Sequence, residues 1–254
     1  MNYNKVNSYT IISRSRHCYL CSLAIPQSSG SLKGVSKLNY ELIEDTAVLS
    51  FYDGKANAIG PDFMAAMSDG LDRAEREAKA VVITGRKGLL SGGFDLKEMQ
   101  KGPEAVKAIM NKGASMFYRL FSYPKPVVIA CTGHAIAAGA FLLLTADNRI
   151  GTTGDFKLGL NETSIGSTFP VFGIELARAR LNPAYLTRSF VQSEAFSPEE
   201  AVQAGFLDQI EAAEGVMDKA MAMAAHLGQL PAATYAQNKR DIRKSAIETI
   251  GASL

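Results

Sequence analysis

The chain has 254 residues, 47% of them hydrophobic and 20% charged, with no tryptophan, the composition of an ordinary globular protein long enough to bury a core. Its net charge of +2 is unevenly spread: residues 1–40 carry Lys5, Arg14, Arg16, Lys33 and Lys37 and no acid, which leaves −3 for the rest. A body of that sign without a basic stripe excludes general nucleic-acid binding, three cysteines give no disulfide framework, and no apolar run reaches the roughly 20 residues of a membrane span.

Residues 1–37 differ in character from the remainder of the chain. They hold no acid, are rich in Ser and Arg, and end in the linker-like "PQSSGSLKG". That composition resembles a mitochondrial transit peptide; the plainer reading is an extension outside the fold. Within it "HCYLC" gathers His17, Cys18 and Cys21. A zinc site would need further ligands from Cys131, His134 or His226, and a lone C-x-x-C pair predicts no metal.

From residue 38 the pattern becomes regular. "TAVLSFY" (46–52) is an apolar strand, broken by "DGKANAIG". In the next segment Pro61 stands at a first helical position, and Phe63, Met64, Met67 and Leu71 come after it at helical spacing. "AVVITG" (80–85) is a continuous apolar run, the mark of a buried strand, and "RKGLLSGG" reads as a turn. Asp95 and Glu98 make a capping signature for a helix starting near Leu96. A longer helix is predicted over 103–121, and a second buried strand over 125–133. "AAGAFLLLTA" suits a wholly buried helix, while "NRIGTT" and "DFKLGL" read as short strands. Beyond Pro170 the expectation is mainly helix, over 171–179, 182–191, 197–203, 213–228 and 232–248. Strand–helix alternation and then a run of helices predicts an α/β core with a helical C-terminal part.

No G-x-S-x-G, Walker-type or G-x-G-x-x-G motif is present. Two small-residue turns stand out, "SGGF" (91–94) and "AAGAF" (137–141), each leading from a strand into a helix. Side by side, such turns aim unpaired N–H donors at one oxygen; taken singly, they are tight turns that use glycine for backbone freedom. Glu162 is the one acid in the run "KLGLNETSIG". By spacing alone it reads more readily as a solvated loop acid or cap than as a catalytic group, and His134 as a satisfied buried histidine.

Five stretches together resemble the crotonase (enoyl-CoA hydratase/isomerase) superfamily over about residues 38–250. They are "GKANAIG", "LLSGGFDLKEM", "KPVVIACTGHAIAAGAFLLLTADNRIG", "FKLGLNETSIGSTFPVFGIELARARL" and "FSPEEAVQAGFLDQI". The resemblance implies a spiral of β-β-α turns with a helical C-terminal trimerisation region: a core over 38–190, and 191–254 as the helical part of the same domain. It also implies a homotrimer or dimer of trimers, no cofactor beyond the coenzyme A carried by an acyl-CoA substrate, and no nucleic-acid or membrane partner. A cytoplasmic location is expected, or the mitochondrial matrix if residues 1–37 are a transit peptide.

Carried onto this sequence, the resemblance makes Phe94 and Ala138 N–H the oxyanion hole for the thioester oxygen. Of the two glutamates that hydratases of the family use, the second matches Glu162, and the first is replaced by Phe141. "LNET" is similar to the mitochondrial-type Δ3,Δ2-enoyl-CoA isomerases, which keep only the second glutamate. The implied activity is isomerisation of 3-enoyl-CoA to trans-2-enoyl-CoA in fatty-acid β-oxidation with Glu162 as acid/base. The alternatives are hydration, another one-base reaction of an acyl-CoA, or acyl-CoA binding without catalysis. Lys55 and Lys97 match cations near the CoA phosphates, and Ala56, Ala58 and Ile59 the adenine-side loop. Gly93, Asp95 and Gly139 at the oxyanion turns, together with Phe141 and Phe169, are further implied substrate-binding residues, with Phe169 and Phe172 shaping the acyl pocket.

Overall fold

The computed structural model describes residues 38–254. The transit-peptide reading and the His17–Cys18–Cys21 cluster lie outside these residues. Two sheets run through the fold. The larger contains β1 (Leu38–Ile43), β2 (Thr46–Phe51), β3 (Ala80–Thr84), β5 (Val127–Cys131), β7 (Asn148–Thr152) and β10 (Gln209–Glu211), in that spatial order. The smaller contains β4 (Gly88–Ser91), β6 (Gly133–Ile136), β8 (Leu158–Gly159) and β9 (Ala195–Phe196). β1–β2 and β8–β9 are antiparallel, and the remaining pairs are parallel. Each of the pairs β3–β4, β5–β6 and β7–β8 sends its first strand to the large sheet and its second to the small one. This is the expected mixed α/β spiral.

Alternation along the large-sheet strands explains why they read as unbroken apolar runs. Leu49, Val81, Ile83, Val127 and Ile129 face the main core. Val48, Val82, Val128 and Ile150 face the other way, onto Val216, Ala220 and Ala224 of α8 (Val216–Gly228). Both faces are covered, so neither needs polar residues. α1 (Pro61–Glu77) and α3 (Pro103–Phe121) both begin with proline, as expected for Pro61. α2 (Leu96–Met99) is a single turn capped by the Asp95 carboxylate, which accepts from Lys97 N–H at 2.9 Å. α4 (Ala138–Thr145) is buried at every position. Next in the chain come α5 (Val171–Arg180), α6 (Leu186–Phe190) and α7 (Pro198–Ala204).

Three expectations require correction. "RKGLLSGG" contains strand β4, whose pairing with β6 a local reading cannot see. The region beyond Pro170 also holds β9 and β10. The helix expected over 232–248 is two, α9 (Ala232–Ile242) and α10 (Lys244–Gly251), broken at Arg243 (φ −99°, ψ 4°) where its guanidinium turns inward. α10 packs against α3 and α5 of the same chain.

Candidate active site

The first turn is prepared by the loop after β2. The Asp53 carboxylate accepts from the N–H groups of Lys55 (2.7 Å), Asn57 (2.8 Å) and Ala58 (3.0 Å). Asn57 is buried at φ +48° and donates through Nδ2 to the carbonyls of Phe51 (3.2 Å) and Leu90 (3.1 Å). Ser91 Oγ donates to the Asn57 carbonyl (2.7 Å) and accepts from Gly93 N–H (3.1 Å). This polar thread fixes the 91–94 turn to the loop. Sequence reasoning missed Asp53, Asn57 and Ser91 as its organisers; an Asp leading a Gly- and Asn-rich break is the signal that identifies such a loop.

Ile59 forms a parallel bridge with Phe94: Ile59 N–H donates to Gly93 C=O (2.8 Å) and Asp95 N–H to Ile59 C=O (3.1 Å). Those bonds consume the groups on either side of Phe94, so its own N–H points away from Ile59. The second turn lies against Gly93. A Cβ placed on Gly93, which sits at φ +110°, would lie 3.2 Å from Ala137 Cβ and 3.5 Å from Ala138 N. Ala137 itself stands at φ +51°, ψ −121°, a strained conformation for a residue with a side chain. It lifts Ala138 N–H to the open end of α4. A Cβ on Gly139 would strike the Ser91 carbonyl at 2.3 Å, so only glycine lets the two turns close on each other. Among the described residues, neither Phe94 N–H nor Ala138 N–H has an acceptor. Two free donors on adjacent turns form a geometry suited to an oxyanion.

The same strand pairing delivers Glu162. β8 pairs with β6, and Gly159 C=O accepts from Ala137 N–H at 3.0 Å. Three residues later Glu162 enters the short 3-10 turn Thr163–Ile165. The residue is 8% exposed, although the turn after it is exposed. Its Oε2 is buried without a partner among the described residues, as is Asn161 Oδ1. Burial raises the carboxyl from 4.5 to about 7, and the N–H groups of Glu162 and Asn161 partly oppose this. A carboxyl so poised can accept and return a proton near neutral pH.

Where the resemblance places another carboxylate, the chain has a phenyl ring. Phe141, 1% exposed, is three residues beyond Ala138 and so on the same face of α4. It packs edge-on against Phe117 (6.3 Å), Phe169 (6.3 Å) and Phe172 (5.5 Å), and Phe117 meets Phe94 at 6.2 Å. An apolar wall thus runs back to the first turn.

Other predicted residues fare differently. Lys55 and Lys97 are exposed, and neither ammonium makes an ion pair with a described residue. Ile59 is fully buried with both backbone groups taken, so it supports the turn and offers nothing to a ligand. Ala56 C=O is likewise taken by Gly92 N–H (2.9 Å). His134 is half-buried rather than buried, and its Nδ1 accepts from Lys157 N–H at 2.9 Å, which leaves it satisfied as expected. Cys131 is buried, its thiol pushed up to about 12. Among the described residues no cluster of acids, His and Cys is arranged to hold a metal. A cavity of about 210 Å³ adjoins the Asp53–Gly60 loop, but Asp53, Asp62, Asp95 and Glu98 line it, making it a poor seat for phosphate.

Comparison with known proteins gives a consistent picture. Residues 44–251 match the family described as enoyl-CoA hydratase/isomerase. A probable enoyl-CoA hydratase of Bacillus subtilis is 29% identical over 199 residues, covering 75% of each chain. The human mitochondrial enoyl-CoA delta isomerase 1 is 26% identical over 204 residues, covering 78% of this chain and 68% of that one. A solved structure of an enoyl-CoA hydratase/isomerase family protein from Pseudomonas syringae superposes with a TM-score of 0.83 at 43% identity, over 85% of this chain and 94% of the other.

Proposed function

The chain belongs to the enoyl-CoA hydratase/isomerase family, and from that premise we propose that it is a Δ3,Δ2-enoyl-CoA isomerase of fatty-acid β-oxidation. Glu162 as carboxylate removes a proton from C2 of a 3-enoyl-CoA. The electron pair moves onto the thioester oxygen, where Phe94 and Ala138 N–H stabilise the enolate. Glu162 then returns the proton to C4, and the double bond moves to C2–C3 in conjugation with the thioester.

The observation that carries this reading is the buried Glu162, one oxygen without a partner among the described residues, together with a phenylalanine, Phe141, where the resemblance places the first glutamate. Hydration must place and deprotonate a water and then protonate C2, work that hydratases of this family divide between two glutamates. Here an apolar ring occupies the first of those positions, and the polar partner for water is gone. Moving a proton within one substrate needs one base whose two protonation states lie close in free energy, and a carboxyl at about 7 meets that need.

The proposal includes no cofactor beyond the substrate's coenzyme A, a homotrimer or dimer of trimers, and a cytoplasmic location. The exposed Lys55 and Lys97 are proposed to meet the CoA phosphates. Hydration is the second reading, favoured by the name of the Bacillus relative. Offering purified protein 3-enoyl-CoA and 2-enoyl-CoA separately distinguishes the two. We expect conjugated product from the first and little water addition to the second. Glu162→Gln should lower isomerisation by about 10³-fold or more. Equal rates in wild type and variant would overturn the assignment.

A further inference from the structure

The turn that carries Glu162 poses a physical problem. Residues 163–168 are exposed, yet the carboxyl at their base is buried, and its Oε2 has no bond to a described residue that fixes its direction. The N–H groups that act on the carboxyl, those of Glu162 and Asn161, belong to the same turn, so its aim follows from where the turn is held. Inside the turn, Ser167 N–H donates to Glu162 C=O (2.9 Å) and Ser164 Oγ to Asn161 C=O (2.7 Å). These bonds fix its shape but not its position.

Position comes from two bonds, one to the last residue of α6 and one to the chain just after it. Thr163 Oγ1 donates to Phe190 C=O at 2.6 Å, and Ser164 N–H donates to Ser193 Oγ at 3.0 Å. That second segment is itself anchored. Arg188 makes a bidentate pair with Glu194 (2.6 and 2.5 Å), and Glu194 N–H closes on Arg188 C=O at 3.0 Å. The Phe190 ring packs on Phe169 at 4.1 Å, and Phe169 borders Phe141. Ser193 adopts φ +51°, where glycine would be relaxed and serine is strained. The strained residue supplies the hydroxyl that receives Ser164 N–H.

We propose that Thr163 and Ser193 form a clasp that sets the aim of Glu162 and shields it from water, making both positioning residues for its proton transfer. The transfer part rests on the isomerase reading above; the shielding part does not. A clasp of two hydrogen bonds allows the exposed turn to vary while the carboxyl beneath stays dry.

The test uses the full chain labelled with ¹³C-glutamate. The Glu162 carboxyl resonance is assigned by its loss in Glu162→Gln and tracked through a pH titration. Ser193→Gly removes the hydroxyl while suiting the backbone at φ +51°, so it keeps the fold. Thr163→Val removes the other bond, and Thr163→Ser keeps it. We expect Ser193→Gly and Thr163→Val each to lower the Glu162 pKa by about one pH unit as water enters. Both should reduce kcat by about tenfold with KM changed less than about twofold, and increase solvent deuterium at C4 of the product. Thr163→Ser should behave as wild type. Unchanged titration and kcat in Ser193→Gly and Thr163→Val would overturn the clasp, as would a Thr163→Ser protein as impaired as Thr163→Val. If the titrations shift as expected but the wild type turns over no 3-enoyl-CoA, the shielding stands and the isomerase reading falls.

Discussion

Asp147 and Glu162 are both largely enclosed acids, and the protein treats them in opposite ways. The Asp147 side chain is 9% exposed and accepts from Lys239 Nζ (2.7 Å), Arg243 Nη2 (2.9 Å) and Val127 N–H (2.8 Å). Arg243 also donates to the carbonyls of Phe121 (2.7 Å) and Thr145 (3.3 Å), at the C-terminal ends of α3 and α4. The cluster thus joins α9 and the start of α10 to the core. Burial is strong enough there to draw Lys239 down to about 8 even with Asp147 beside it. Glu162 is equally enclosed, yet one of its carboxylate oxygens has no partner among the described residues. Burial is common to both acids; what sets Glu162 apart is burial without a matching cation among the described residues. Cavity size misleads in the same way. The larger cavity, of about 550 Å³, adjoins Asp147, Lys239 and Arg243, whose polar atoms already hold one another.

The largest effect that would sharpen the comparison is on stability. Asp147→Asn leaves two buried cations without their counter-charge and should cost about 3–5 kcal/mol in urea unfolding. A loss under about 1 kcal/mol would mean that the carbonyls alone hold Lys239 and Arg243, and the contrast with Glu162 would weaken. Glu162→Gln should act in the opposite direction. A carboxyl raised from 4.5 to about 7 binds its proton more tightly in the folded state, so folding stability falls as pH rises between those values. The variant should therefore be more stable than wild type by up to about 3 kcal/mol at pH 8 and equal to it near pH 4. A difference independent of pH would break the assignment of strain to the charged form. The smallest expected effect is on activity: kcat/KM for 3-enoyl-CoA should rise about tenfold from pH 6 to pH 8 and level off as Glu162 becomes fully ionised. A flat profile would mean that Glu162 titrates well below 6.

Much of the fold was legible because it depends on short-range pattern. The buried runs 46–52, 80–85 and 125–133, the proline-led helices and the Asp95 cap all carry their signals within one or two turns of chain. β4 and β6 were hidden because four-residue strands bounded by glycine acquire their identity only from each other. Arg243 was hidden for a similar reason. On a helical wheel it is one more surface cation, and the break it imposes arises from Asp147 and the open helix ends it reaches.

The candidate site divides along the same line. Sequence alone determined which residue types are present: one glutamate in a loop, a phenylalanine where the resemblance places a first carboxylate, and two glycine-containing turns. Tertiary structure decided what those residues can do. It brought Gly93 against Ala137, left two N–H donors free among the described residues, tied off Ile59, and buried a Glu162 oxygen without a partner there. The physical reason is that a residue's type is local, whereas its solvation and the direction of its hydrogen-bonding groups are set by segments far away in the chain. For Glu162 that environment is what turns an ordinary loop carboxyl into one that titrates near 7.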